Sequence, residues 1–223
     1  MMKRAAVLSA VLVMGFAAQA GLVGSLCSGV DGGLVSGGQT WSPAGGDADD
    51  EGFCVVWTVS QNMDGSWHYQ YTFTNQAGGP LSMDVSHMII SISEGADMAN
   101  LSADIDSLEV GIFGESPANP GFPTGLTLYG VKINLGAEQK VVEFDSSRAP
   151  MWGDFYAKDG GSGAVKNHAY NVDLGTVVAN LNDYAAPTAL DASGNELQKI
   201  LVPDTIPEPA TLALLGLGGA VML

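Results

Sequence analysis

Three histidines and two cysteines are the side chains best suited to chemistry in this sequence. A serine nucleophile needs a histidine base that a carboxylate orients. His68, His87 and His168 are the available bases, and no serine stands in the Gly-x-Ser-x-Gly turn that would present it. His87 lies in a run whose alternate positions, Val85 and Ile89, are apolar, which suits a histidine packed at the core or its margin. Zinc is disfavoured by spacing, because neither His-x-x-x-His nor Cys-x-x-Cys occurs. On these residues the chain reads as non-enzymatic with no obligatory cofactor. A hydrolase would require one histidine beside both an acid and a serine in an open cleft.

The densest acidic run is Asp47-Ala48-Asp49-Asp50-Glu51-Gly52. Asp47, Asp49 and Glu51 alternate ahead of a glycine, as oxygen ligands do in the first half of a calcium loop. The pattern then fails, since Thr58 stands where a bidentate glutamate is required. The run is either a solvated acidic loop or a weak Ca2+ site.

Aromatic residues offer a binding surface of another kind. Trp67, Tyr69 and Tyr71 share one face of a strand and could stack on sugar rings. Phe73 continues the series, so the same face equally reads as core. A second group, Trp152 and Tyr156, lies near Arg148 and Asp154 in the stretch from Val141 to Gly160. That stretch reads either as a structural corner, with Arg148 paired to Asp145 or Asp154, or as a ligand-binding corner.

The elements that must position these residues are short and β-prone. Two runs within Phe53–Asn75 flank Asn62-Met63-Asp64-Gly65, where Asp-Gly supplies the positive-φ residues of a tight hairpin. In the second run, strict alternation of rings with His68, Gln70, Thr72 and Thr74 marks a strand with one buried face. Further strands are expected at 85–92, 108–113, 126–133, 140–145, 151–157, 169–174 and 197–202. Pro150 cannot donate to a ladder, so a break or bulge is expected there. The segment 176–184 reads as a short helix or an edge segment. The 30 glycines and 10 prolines are spread along the chain and suit many turns. About nine strands without crossover helices give an all-β fold, an antiparallel two-sheet β-sandwich of jelly-roll-like type. A closed barrel is the other possibility.

The two ends differ from this body. Lys3 and Arg4 precede an apolar stretch from Ala5 to Ala18, and Ala18-Gln19-Ala20 fits the small-x-small site of signal peptidase. Residues 1–20 are therefore read as a signal peptide with an apolar helix, cleaved after Ala20, and 21–202 as one domain. The chain carries 24 acidic and 8 basic residues, for a net charge of −16. Loss of Lys3 and Arg4 deepens the imbalance, which repels nucleic acid and favours divalent cations or basic partners. In an oxidising compartment, Cys27 and Cys54 pair as one disulfide or remain two buried thiols. The bond would close a loop of about 28 residues, worth roughly 3–4 kcal/mol on the chain-entropy model.

At the other end, no residue from Ala210 to Leu223 is charged. As a helix this stretch would span about 21 Å at 1.5 Å per residue, short of the ~30 Å hydrocarbon core. Pro207 and Pro209 fit at or before its first turn, and Glu208 sits at the positive end of its dipole.

The segment 203–223, centred on Ile206-Pro207-Glu208-Pro209-Ala210-Thr211-Leu212, resembles the PEP-CTERM sorting signal of exported bacterial proteins. The same segment is also called an ice-binding protein C-terminal domain, a label that concerns sorting. The resemblance implies a hydrophobic C-terminal helix, transient membrane anchoring, and processing by an exosortase that recognises Pro207, Glu208 and Pro209. It further implies delivery to the cell surface or to a biofilm or exopolysaccharide matrix. The family pattern ends in a basic cluster that the sequence lacks at Leu223, so the natural signal is expected to run further. The expectation is thus an exported structural protein handled by signal peptidase and exosortase, with extracellular polysaccharide as a possible partner. The alternative is a glycan- or calcium-binding module.

Overall fold

The computed structural model describes residues 21–29, 32–41, 52–92, 105–135, 141–160 and 166–203. Among the described residues the chain is all β, with no helix and with every strand pair antiparallel. In chain order the strands begin with β1 (Leu22–Cys27), β2 (Leu34–Gly37), β3 (Cys54–Gln61), β4 (Trp67–Thr74) and β5 (Val85–Ser91). There follow β6 (Ile105–Gly114), β7 (Thr127–Leu135), β8 (Val141–Ser146), β9 (Pro150–Gly153) and β10 (Phe155–Asp159). The last are β11 (His168–Asn171), β12 (Ala189–Leu190), β13 (Glu196–Leu197) and β14 (Ile200–Pro203).

A four-stranded sheet runs β1-β3-β4-β8, and a six-stranded sheet runs β2-β11-β10-β5-β7-β6. Two small ladders, β12-β13 and β14-β9, complete the structure. One apolar core takes Val55, Trp57, Tyr69 and Tyr71 from the first sheet and Met88, Ile90, Val131, Ile133 and Phe155 from the second. This is consistent with a β-sandwich.

The β3–β4 hairpin forms where the sequence places it. Gly65 adopts φ 90°, its N–H donates to Asn62 O at 3.1 Å, and the Asn62 N–H donates to Ser66 O at 2.8 Å. Asp64 accepts from the Ser66 hydroxyl and amide, which holds its carboxyl below the usual range. From this turn β4 emerges with Trp67, Tyr69, Tyr71 and Phe73 all pointing inward and buried. Tyr69 stacks on Phe144 at 5.3 Å between ring centroids, and Phe73 faces Phe155 of the other sheet at 6.4 Å. The Tyr71 hydroxyl donates to Leu201 O at 2.9 Å, and complete burial raises its pKa well above the usual value.

The expected strand 151–157 is two strands. β9 pairs with β14, and β10 pairs with β5 and β11. Pro150 and Pro203 sit opposite each other at the end of the β9-β14 ladder, where a missing N–H does least harm. The chain changes partners at Gly153-Asp154. A Cβ on Gly153 would lie 2.3 Å from both Ser91 Oγ and Val202, so only glycine passes. Similarly, 197–202 divides between β13 and β14, while 176–184 is a chain of turns, neither helix nor strand. That segment instead caps Trp152, whose indole N–H donates to Asp183 O and whose backbone N–H donates to Leu181 O.

The switch at Asp154 is fastened by a buried ion pair. Lys199 Nζ donates to Asp154 Oδ1 at 2.5 Å and to Asp173 O at 2.6 Å. Asn171 Nδ2 and the Gly175 N–H also donate to the Asp154 carboxylate. Lys199→Ala would leave this carboxylate buried without its cation, a loss of about 3–5 kcal/mol. Urea unfolding should therefore show a much lower midpoint for Lys199→Ala, and the double variant Lys199→Met with Asp154→Asn should recover part of it.

Candidate functional site

The aromatic candidates are enclosed. Trp67 and Trp152 are 7% and 5% exposed, and Tyr69, Tyr71 and Tyr156 are 0% exposed. The ligand-binding reading of all five is corrected to core, because a ring covered on both faces has no surface left for stacking. The β4 rings lie between the two sheets. Trp152 lies beneath the turns of 176–184. Tyr156 is on the other face of the six-stranded sheet, where it packs with Phe122 and donates its hydroxyl to Pro120 O at 2.8 Å. Its phenol is pushed far above the ordinary range by burial, with the charge of Asp159 adding to the effect.

Arg148 presents its backbone to this core: its carbonyl accepts from the Tyr69 hydroxyl at 2.9 Å. Of the two acids expected to pair with it, Asp154 is engaged by Lys199 and Asp145 by His68. The cysteines do form a disulfide, between residues that face each other in the β1–β3 ladder. Asp47, Asp49, Glu51, Ala20, Pro207, Glu208 and Pro209 lie outside the described residues, as do the two terminal segments expected to be helical. Among the described residues, no group of three or more His, Cys, Asp or Glu side chains could hold a metal ion.

The histidines occupy three different settings. His68 stands in register between Ser60 of β3 and Asp145 of β8. Its Nδ1 is 2.8 Å from Asp145 Oδ1, the orientation that a carboxylate imposes on a general base. Ser60 makes no hydrogen bond to His68, so the nucleophile's part of the arrangement is not formed. His168 pairs across the sheet with Gly37 and lies against Gly121, where a Cβ would come within 2.3 Å of its ring.

His87 is the most strongly perturbed. It is 5% exposed, and burial lowers its pKa to about 3, with the charges of Lys132 and Lys158 reinforcing the shift and the Asn119 side chain opposing it. Burial and the neighbouring Lys166 likewise lower the pKa of Lys158, the cross-strand partner of both His87 and His168.

These groups gather on the face of the six-stranded sheet turned away from the main core. The loop 115–125 folds over that face. Phe122 joins Ile89, Phe113, Leu128, Tyr156 and Leu174 in a second apolar cluster. Beside it opens a cleft of about 330 Å3, lined in part by Glu109, Phe113, Glu115, Ser116, Asn119 and Lys132. Lys132 is largely covered, its side chain 14% exposed, and its Nζ reaches only to 4.0 Å from Glu109, whose side chain is 64% exposed. Asn119 Nδ2 donates to Gly114 O at 3.2 Å. The buried Asn119 Oδ1 and His87 Nε2 make no full hydrogen bond, although the Asn119 side chain is near enough to His87 to favour its protonated form.

No protein-family model matches the chain, and neither a curated protein nor a solved structure matches it.

The His87 geometry fixes a pH dependence. A histidine with pKa about 3 when folded and about 6.5 when unfolded takes up protons preferentially on unfolding between those values. Stability is thus full above pH 6.5 and falls as the pH drops toward 3, by about 2 kcal/mol at pH 5 from this group. Urea midpoints measured from pH 7 to pH 5 should decline for the wild type, and His87→Gln should flatten the slope.

Proposed function

We propose that this chain is an exported, non-enzymatic protein of the cell surface or extracellular matrix. The observation that carries the reading is the Cys27–Cys54 disulfide. Such bonds persist in oxidising compartments, and this one joins the start of the domain, directly after the expected signal cleavage, to the strand that begins the main hairpin. A signal-peptide pattern before it and a Pro-Glu-Pro tail after it agree with export followed by sorting. The body between them is read as a jelly-roll-like sandwich, built to persist outside the cell rather than to turn over substrate. Signal peptidase and an exosortase are its processing partners, with transient membrane anchoring through 203–223, and matrix polysaccharide is its surroundings.

The test is deletion of residues 207–223 in the native host. The deleted protein should shift from the cell surface to the medium, and the full-length protein should show a processed mass lower than its sequence predicts. Identical distribution of the two forms, with no processing of the full-length chain, would overturn the sorting reading.

A further inference from the structure

Strand β6 (Ile105–Gly114) is the longest described strand and closes one end of the six-stranded sheet. Among the described residues it pairs with β7 on one side and with no strand on the other. The other ends of the two large sheets are shorter: β2 has 4 residues, and β1 and β8 have 6 each. A free edge presents a row of unpaired N–H and C=O groups, which proteins blunt with proline, lysine, a bulge or a covering segment. Neither proline nor lysine occurs in β6, and its bulge lies at the start, between Ile105 and Ser107. From Leu108 to Gly114 the register with β7 is regular.

Where the edge is regular, one of its faces is apolar. Leu108, Val110 and Ile112 alternate onto that face, opposite Ile133, Val131 and Tyr129 of β7. Ile133 and Val131 are buried in the main core, and Leu108 and Tyr129 pack against it. The cover then ends: Val110 is 51% exposed and Ile112 72%. The core layer thus continues to the edge and is left open there. The other face carries Glu109, whose side chain is 64% exposed, and then Gly111. A glycine inside a strand weakens it and often marks the close approach of another backbone. Nothing in the single chain requires Gly111. Its φ lies outside the left-handed region, and a Cβ there would meet nothing within 4 Å.

We infer that β6 pairs edge to edge with β6 of a second copy of this chain, antiparallel about a two-fold axis at Val110. Between identical antiparallel edges, outward-pointing groups meet outward-pointing groups, so the axis passes through a residue rather than between two. An axis at Glu109 sets two carboxylates directly opposite each other, which destabilises a strand pair. An axis at Leu108 sets Val110 against Asp106, and one at Gly111 sets Glu109 against Phe113. The axis at Val110 pairs Val110 with Val110 and, twice over, Leu108 with Ile112. Each Glu109 then lies opposite the other copy's Gly111, where no side chain competes for the space. The apolar layer runs unbroken from Val131 of one copy to Val131 of the other, and the two six-stranded sheets join into one. This pairing belongs to the body of the protein and does not depend on how the chain is sorted.

Sedimentation of the full-length chain over a range of concentrations tests it, and a monomer–dimer equilibrium is expected. The dimer should tighten from about 0.05 M to about 0.5 M NaCl, because salt screens the repulsion between copies that each carry a net charge of −16. Val110→Lys and Ile112→Lys should each weaken it by roughly tenfold or more, since the two-fold axis counts every substitution twice. Both side chains are exposed, so far-UV circular dichroism should not change. On mild oxidation Val110→Cys should become a covalent dimer, because directly opposed residues lie within disulfide reach. Ile112→Cys should not, as the two cysteines would stand four residues apart along the ladder, about 13–14 Å. Should a lysine variant fail to fold, the cysteine pair carries the comparison. Association through the apolar tail would ignore both lysine variants. A chain monomeric at every concentration and salt, a dimer undiminished by both lysines, a dimer that salt dissolves, or cross-linking at Ile112 in preference to Val110 would each overturn the pairing.

Discussion

The rings that β4 turns inward set the distance between the two sheets, and most other features follow from that spacing. Trp67, Tyr69, Tyr71 and Phe73 occupy every second position of one strand, so each ring projects into the same layer. Burial of a large side chain contributes roughly 1.5–3 kcal/mol, which makes this one strand a major part of the cohesion between the sheets. Two of the rings also carry hydroxyls that must be satisfied inside that layer. Tyr71 reaches Leu201 O and Tyr69 reaches Arg148 O, so β14 and the corner after β8 are positioned by the same strand. The apolar layer therefore also specifies where polar backbone ends up.

Covering that layer shapes where recognition can occur. The rings of β4 are buried, and the outer face of the four-stranded sheet carries polar side chains such as Ser60, His68 and Gln70, with His68 bonded to Asp145 and Gln70 to Glu143. Among the described residues, the outer face of the six-stranded sheet is the one covered by a long connection, residues 115–125, which creates both a second apolar cluster and a cleft beside it. Gly121 lets this loop lie against His168 with φ 72°. Tyr156, held by Pro120 and Phe122, binds the loop to the sheet. A loop anchored in this way can present fixed polar atoms, which preformed ligand sites require.

Much of this fold is legible in the sequence wherever one strand carries its own signal. The alternation in β4 and the Asp64-Gly65 turn need no knowledge of neighbours. The strands β1 and β2 are not legible, because Gly24, Gly33 and Gly37 break the apolar pattern. Gly24 is there to let the Trp57 indole lie across it, since a Cβ would fall 2.2 Å from the ring, and that is a property of the pair. The division at Asp154 is equally hidden: Met151–Ala157 has the composition of one strand, and the switch depends on Lys199, some forty-five residues away. The cleft is the least legible part. Glu109 and Lys132 come from two adjacent strands whose register is set only in the folded sheet, and Asn119 comes from a loop.

The placement of the lysines also bears on how an acidic protein tolerates its own charge. A net charge of −16 produces a repulsive field over most of the surface, and the simplest relief would scatter the few lysines among the carboxylates. Lys199 follows that logic, being buried against Asp154. Lys158 does not: burial and the charges of Lys166 and Lys132 lower its pKa, and Asp159 opposes the shift. The surrounding negative potential partly offsets their mutual repulsion at long range, but it is screened over about 8–10 Å in salt. The contacts of the partly buried Lys158 are screened much less. Local repulsion therefore persists at Lys158 where the long-range compensation fades, and Asp159 is the carboxylate that opposes it there.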